Sequence, residues 1–212
     1  MRVRWLIAIT AATPLLAVVP AAASAAASSV LTNGRVGGPA VKVGAILKAN
    51  LKGKATFVIP GTTAGIKCGS ASVTDKVTRN PAAPGTATEM LTGQTFSRCS
   101  SSIPGTTGVK SVRVLNLPYR TTISDSRGNP VVIFNAKTEL VLRTVVGTLT
   151  CTYRAGRLRG TALNTGQAIA FARQTFTRSA GPSACPAKGS FSAVFGPVTN
   201  TSVRGRPRVF VS

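Results

Sequence analysis

The sequence has 212 residues, enough for one or two domains. It carries 26 Lys and Arg against four acids, a formal net charge of +22, and contains no histidine. The usual general base, triad member and metal ligand is therefore missing, and the composition argues against an enzyme and against a metal site.

The first segment reads as an export signal. Arg2 and Arg4 precede an almost continuously apolar run from Trp5 to Val19, which Pro20 ends. The run is shorter than the roughly 20 residues that span a bilayer, and small residues, Ala21 to Ala27, follow it instead of a basic stop. A signal peptide over 1–27 is predicted, with Ala25-Ala26-Ala27 as the preferred cleavage triplet and the mature chain starting at Ser28, and with Ala21-Ala22-Ala23 as the alternative triplet. Removing Arg2 and Arg4 leaves 24 bases against four acids, a net +20. The expected location is secreted and extracellular, in association with the cell wall through charge.

The remainder is rich in Val, Thr, Ser, Gly and Pro, with short apolar runs between turn residues, and no helix is predicted. Val41, Val43, Ala45, Leu47, Ala49 and Leu51 alternate onto one face of a first strand. Lys52-Gly53 reads as a hairpin turn into 55–59. Further strands are expected at 65–73, 91–98, 109–116, 119–124, 131–134, 139–144, 148–153, 167–177, 190–195 and 208–211, with a proline-containing loop at 80–85 and a turn at 125–129. The pattern predicts an all-β, disulfide-stapled antiparallel β-sandwich of Ig-like or Greek-key type over 28–212.

An internal repeat runs through it. Lys54 to Cys68 aligns without gaps on Lys137 to Cys151, and Gln94-Thr95-Phe96-Ser97-Arg98 on Gln174-Thr175-Phe176-Thr177-Arg178. Each copy then reaches a cysteine, Cys99 or Cys185. Two packed units are expected, about 40–125 and 126–212. Four cysteines in an exported chain read as two disulfides, and the repeat favours Cys68–Cys99 and Cys151–Cys185 among the three pairings.

The chemistry available is sparse. Gly-x-Ser-x-Gly and Ser-x-x-Lys nucleophile motifs and Gly-rich phosphate loops are missing, so no catalytic residue and no cofactor are expected. Asp125 fits an Asx-turn, and Glu139 points from a strand toward solvent or a lysine. Asp75 and Glu89 flank the proline loop and form the one carboxylate pair to consider. The bases cluster twice. Arg154, Arg157 and Arg159 surround an expected turn at Ala155-Gly156, and Arg204, Arg206 and Arg208 lie in a tail. Guanidinium groups at a spacing of two suit phosphates or sulfates, and equally suit protection of an edge strand.

The alanine-rich leader, the Cys68…Gln94-Thr95-Phe96…Cys99 block and the Cys185-Pro186…Phe191-Ser192-Ala193 block together resemble small, uncharacterised secreted proteins of high-GC Gram-positive bacteria, that is, actinobacteria. The resemblance implies an extracytoplasmic β-sandwich and carries no activity and no functional residue. The sequence thus reads as a non-enzymatic basic binding protein for an anionic cell-wall polymer or membrane surface, with no specific nucleic acid expected. The alternatives are a secreted protease inhibitor, using the loop around Arg79 and Pro81, and an antimicrobial or toxin-type protein.

Overall fold

A computed structural model describes residues 28–212, and the expected leader, 1–27, lies outside them. The described residues form thirteen strands and no helix: β1 (Leu31–Asn33), β2 (Ile46–Asn50), β3 (Ala55–Val58), β4 (Gly65–Arg79), β5 (Thr86–Ser101), β6 (Thr106–Leu115), β7 (Tyr119–Ser124), β8 (Pro130–Thr144), β9 (Gly147–Leu163), β10 (Ala168–Ala180), β11 (Lys188–Phe195), β12 (Thr199–Asn200) and β13 (Val209–Val211). All pairings are antiparallel, as the sequence pattern predicts.

The strand order differs from a Greek key. Neighbours in sequence are neighbours in the sheet, and the pairings run β3–β4–β5–β7–β8–β9–β10–β11 and back to β3. The sheet is a closed meander barrel. Its seam is the pairing of Thr56–Val58 with Ser190–Ser192. Closure leaves these strands without the unpaired edge that invites aggregation.

Two ring positions are each built from two strands in line. β2 and β3 both pair with β4, against Ser72–Lys76 and Gly65–Cys68 respectively. β6 and β7 both pair with β8. The expected hairpin at Lys52-Gly53 is therefore a break within one strand position, with Gly53 at a φ of +80°. The first strand also begins later than alternation indicates. Gly44 at φ +87° turns the chain before Ile46, so Val43 is exposed while Val41, Ala45, Leu47 and Ala49 are buried.

A belt of irregularities circles the waist of the barrel. Asn116 at φ +61° separates β6 from β7, Asn135 at φ +58° kinks β8, and Arg173 at φ +50° marks a bulge between β10 and β11. At these points the inward alternation slips by one. On β8 the buried set passes from Val131 and Ile133 to Ala136, Leu140 and Leu142, and on β9 from Cys151, Tyr153 and Ala155 to Leu158 and Ala162. A bulge inserts one residue, which moves every later side chain to the other face unless the count is restored. The belt lets strands of 15–17 residues (β4, β5, β8, β9) bend around the core without losing an inward apolar face.

The interior has two sections. Below the belt lies an aromatic cluster. Phe57 meets Tyr153 edge-on with centroids 4.8 Å apart, and Phe176 and Phe96 both meet Phe191, at 6.1 Å and 6.3 Å. The two phenylalanines of the repeated Gln-Thr-Phe motif thus converge on one ring. Gly189 belongs to this arrangement, because a Cβ there would overlap the Phe57 ring. Above the belt the core is mostly aliphatic, with Phe171 and Phe195 and the acids Asp75 and Glu89 buried among it, and is capped by β1 and β13, which bury Leu31, Val209 and Val211. The segment carrying Arg208 is consequently docked rather than a loose tail.

The disulfides join Cys68 to Cys99 and Cys151 to Cys185. The first links residues directly opposite one another on β4 and β5. The second ties β9 to the connection between β10 and β11. They close stretches of 31 and 34 residues. In a chain-entropy account, loops of that size stabilise by about 3–4 kcal/mol each.

Candidate functional site

Arg154, Arg157 and Arg159 do not surround a turn. They lie on the continuous strand β9, in the middle of the barrel wall, and all three are exposed. Ala155, expected in the turn, is buried and pairs with Ala136. The phase slip at Gly156 makes this stretch resemble a turn in the sequence, because alternation stops there and resumes out of step.

Each arginine has a distinct setting on the outer wall. Arg157 stands opposite Phe134 on β8, and its guanidinium lies 5.6 Å from the centre of that ring. Arg120 of β7 approaches the same ring to 5.3 Å. Two cations thus share one aromatic group, an attraction worth about 0.5–1 kcal/mol each at an exposed site. Arg159 donates its backbone N–H to Gln174 Oε1 at 2.7 Å. Arg154 stands directly opposite Lys137. Like charges placed across a ladder repel, and the sheet holds this pair in register regardless.

Lys137 and Arg154 border a depression of about 670 Å³ in the outer wall, lined also by Asn116, Asn135, Thr175 and Thr177. The belt creates it: the positive-φ asparagines open the wall between β6/β7 and β8, and Gly156 has no side chain to fill it. Tyr119 fixes the inner rim. Its hydroxyl accepts from the Lys137 N–H at 2.7 Å and lies against the carbonyls of Leu115 and Lys137. In the sequence Lys137 stands out only as the start of the second repeat copy. Its partner became visible only through the strand register.

The second group is split. Arg204 and Arg206 lie exposed in the turn between β12 and β13, with Arg206 at φ +45°. Arg208 is anchored: its Nη1 donates to Gln167 Oε1 at 2.9 Å, and its carbonyl accepts from the Gly34 N–H at 2.8 Å. The two groups of three therefore form separate patches, one on the barrel wall and one beside the β1–β13 cap.

The four acids offset little of this charge on the surface. Asp75 and Glu89 face the interior, 9% and 2% exposed. Burial pushes the Asp75 carboxyl up to about 7. Burial first, and then the Asp75 charge, raise Glu89 well above the ordinary carboxylate range. Glu89 Oε1 and Thr121 Oγ1 have no hydrogen-bond partner, and both residues line one cavity of about 20 Å³. That volume admits a single water and no organic substrate. Asp125 accepts the Gly85 N–H at 2.9 Å through Oδ1, tying two loops together instead of forming the expected Asx-turn. Glu139 is partly exposed, and its charged neighbour is an arginine rather than a lysine: Arg113 Nη1 stands 3.7 Å from its Oε1, the one ion pair among the described residues.

The loop at 80–85 is clamped. Asn80 receives the Leu31 N–H on Oδ1 and donates through Nδ2 to the carbonyls of Leu31 and Val41, each at 2.8 Å. Among the described residues no group of three or more acidic, histidine or cysteine side chains is placed to hold a metal ion. No described helix is long and apolar enough to cross a membrane. No family model, curated protein or solved structure matches the chain.

Proposed function

We propose that this is a non-enzymatic, secreted or surface-associated basic protein that binds anionic cell-envelope polymers or membranes by many weak charge contacts. The observation that carries this reading is the lack of compensation on the outer surface. Two of the four acids are interior, a third serves a backbone N–H, and one ion pair remains for the 24 bases among the described residues, the 26 of the chain less Arg2 and Arg4. A positive exterior of this kind draws in polyanions and costs stability through self-repulsion. The Lys137–Arg154 pair across the β8–β9 ladder sharpens the argument, since a bound anion would relieve a repulsion that the fold otherwise leaves in place. The flanking hydroxyls and amides of Thr175, Thr177, Asn116 and Asn135 add neutral hydrogen-bonding groups suited to a phosphorylated or sulfated polyol.

Binding of the purified protein to isolated cell walls, measured across a salt titration, tests the reading. Affinity is expected to fall steeply between 0.1 M and 1 M salt, as the Debye length contracts from about 10 Å to about 3 Å. R154Q/R157Q/R159Q and R204Q/R206Q/R208Q should each weaken binding, and their combination should weaken it further. Salt-independent binding, or none at low salt, would overturn the proposal.

A further inference from the structure

The end of the barrel opposite the β1–β13 cap carries an anomaly that the fold does not require. The β8–β9 hairpin turns through Val145 and Val146, between the paired Thr144 and Gly147. These valines are 86% and 94% exposed, the most exposed large apolar residues among those described. Next comes Val43 at 64%. Isolated exposed apolar residues are ordinary, but two adjacent ones at the apex of a tight turn are not. Two-residue hairpin loops favour Asn, Asp and Gly, and β-branched residues are poorly suited to turns. Neither valine adopts a positive φ, and the Thr144 hydroxyl closes the turn by donating to the Gly147 carbonyl at 3.2 Å. Any small polar pair would serve that geometry.

The charge around the tip identifies what would cover it. Arg143 precedes the turn, and Lys110, Lys67 and Lys188 are exposed on strands that end at the same face of the barrel. Of the four acids, only Glu139 belongs to this half, and Arg113 engages it. An apolar apex on a cationic end of the barrel matches the interface of an anionic bilayer, where the acyl boundary receives the valines and the headgroups receive the bases. A polyanionic wall polymer satisfies the cations and leaves the valines in water.

We infer that the Val145–Val146 hairpin tip is a membrane wedge, inserting shallowly into anionic lipid while Arg143 and the lysines of the same barrel end contact the headgroups. The inference rests on the cationic reading above and adds a lipid target and a docking orientation, with the barrel standing on the end opposite the β1–β13 cap.

The test uses vesicles of phosphatidylglycerol mixed with phosphatidylcholine, and vesicles of phosphatidylcholine alone. The chain has one tryptophan, Trp5, so V146W in a W5F background reports on the tip alone. Its emission should shift to the blue on anionic vesicles and remain unchanged with neutral ones. V145S/V146S should lower the partition coefficient onto anionic vesicles about tenfold, as expected for losing two partly inserted apolar side chains, with an unchanged melting temperature. Cell-wall binding by V145S/V146S should equal that of the parent. Vesicle binding without a blue shift, or undiminished in V145S/V146S, overturns the wedge and leaves the cationic reading intact. Dissociation of a dimer by V145S/V146S in the absence of lipid also overturns it, by showing that a second copy covers the tip. Failure of the parent to bind both walls and vesicles at low salt overturns the cationic reading itself.

Discussion

Asp75 and Glu89 are diagonal neighbours inside the barrel: in the β4–β5 ladder Asp75 stands opposite Leu91 and Glu89 opposite Val77, and both carboxyls face the core. The sheet thereby confines two acids where neither is easily ionised.

This pair makes stability depend on pH in an unusual direction. Burial raises the folded-state value of Asp75 from 3.8 to about 7, so over that window the folded protein retains a proton that the unfolded chain has released. Unfolding then releases protons, and stability falls as pH rises. The melting temperature should drop from about pH 4 through about pH 7. Asp75→Asn or Glu89→Gln should flatten this slope, because each replaces an ionisable group with a neutral one of similar shape. A melting temperature that rises across the window would refute the assignment.

The aromatic cluster should be the most sensitive part of the core. Phe176 is buried and packs edge-on against Phe57 and Phe191. Phe176→Ala is expected to cost about 3–5 kcal/mol in denaturant unfolding. Gly189→Ala, a gain of one methyl, should cost about 1–3 kcal/mol by forcing the Phe57 ring aside.

Each disulfide should contribute independently. Non-reducing peptide mapping should recover Cys68 joined to Cys99 and Cys151 joined to Cys185. The paired replacements C68A/C99A and C151A/C185A are each expected to lower stability by about 2–4 kcal/mol.

The two arginine patches should separate in a stability assay. Arg204→Gln and Arg206→Gln should leave melting unchanged, since both side chains lie in solvent. Arg208→Gln removes the hydrogen bond to Gln167 and should lower stability slightly, by about 0.5–1.5 kcal/mol.

Strand content, antiparallel pairing and both disulfides were legible because alternation and cysteine placement are local or repeated signals. Strand length was not. The stretch 131–144 reads as two strands and is one, because Asn135 shifts the apolar phase from Ile133 to Ala136 without ending the ladder. The same slip at Gly156 produced the apparent turn among Arg154, Arg157 and Arg159. Ring closure was also hidden, since it depends on residues 56–58 finding 190–192, a contact with no local signature. The two repeat copies occupy successive ring positions: Ala55–Val58, β4 and the Phe96 stretch of β5 correspond to the second half of β8, β9 and the Phe176 stretch of β10. For the candidate site, charge was readable and neighbourhood was not. Lys137 and Arg154 are 17 positions apart, and the β8–β9 register alone shows them side by side.

The seam between β3 and β11 also governs when this protein can fold. Residues 56–58 wait for 190–192, so more than 130 positions must be available before the barrel can close. Pairings that distant in sequence form slowly, because loop-closure entropy is lost before the contacts repay it. A chain still emerging from a ribosome or a translocation pore holds hairpins but no closed wall. If the chain is secreted, as proposed, such a delay would keep the polypeptide threadable during export, and cysteine oxidation across β4 and β5 can precede closure, since Cys68 and Cys99 lie within one hairpin.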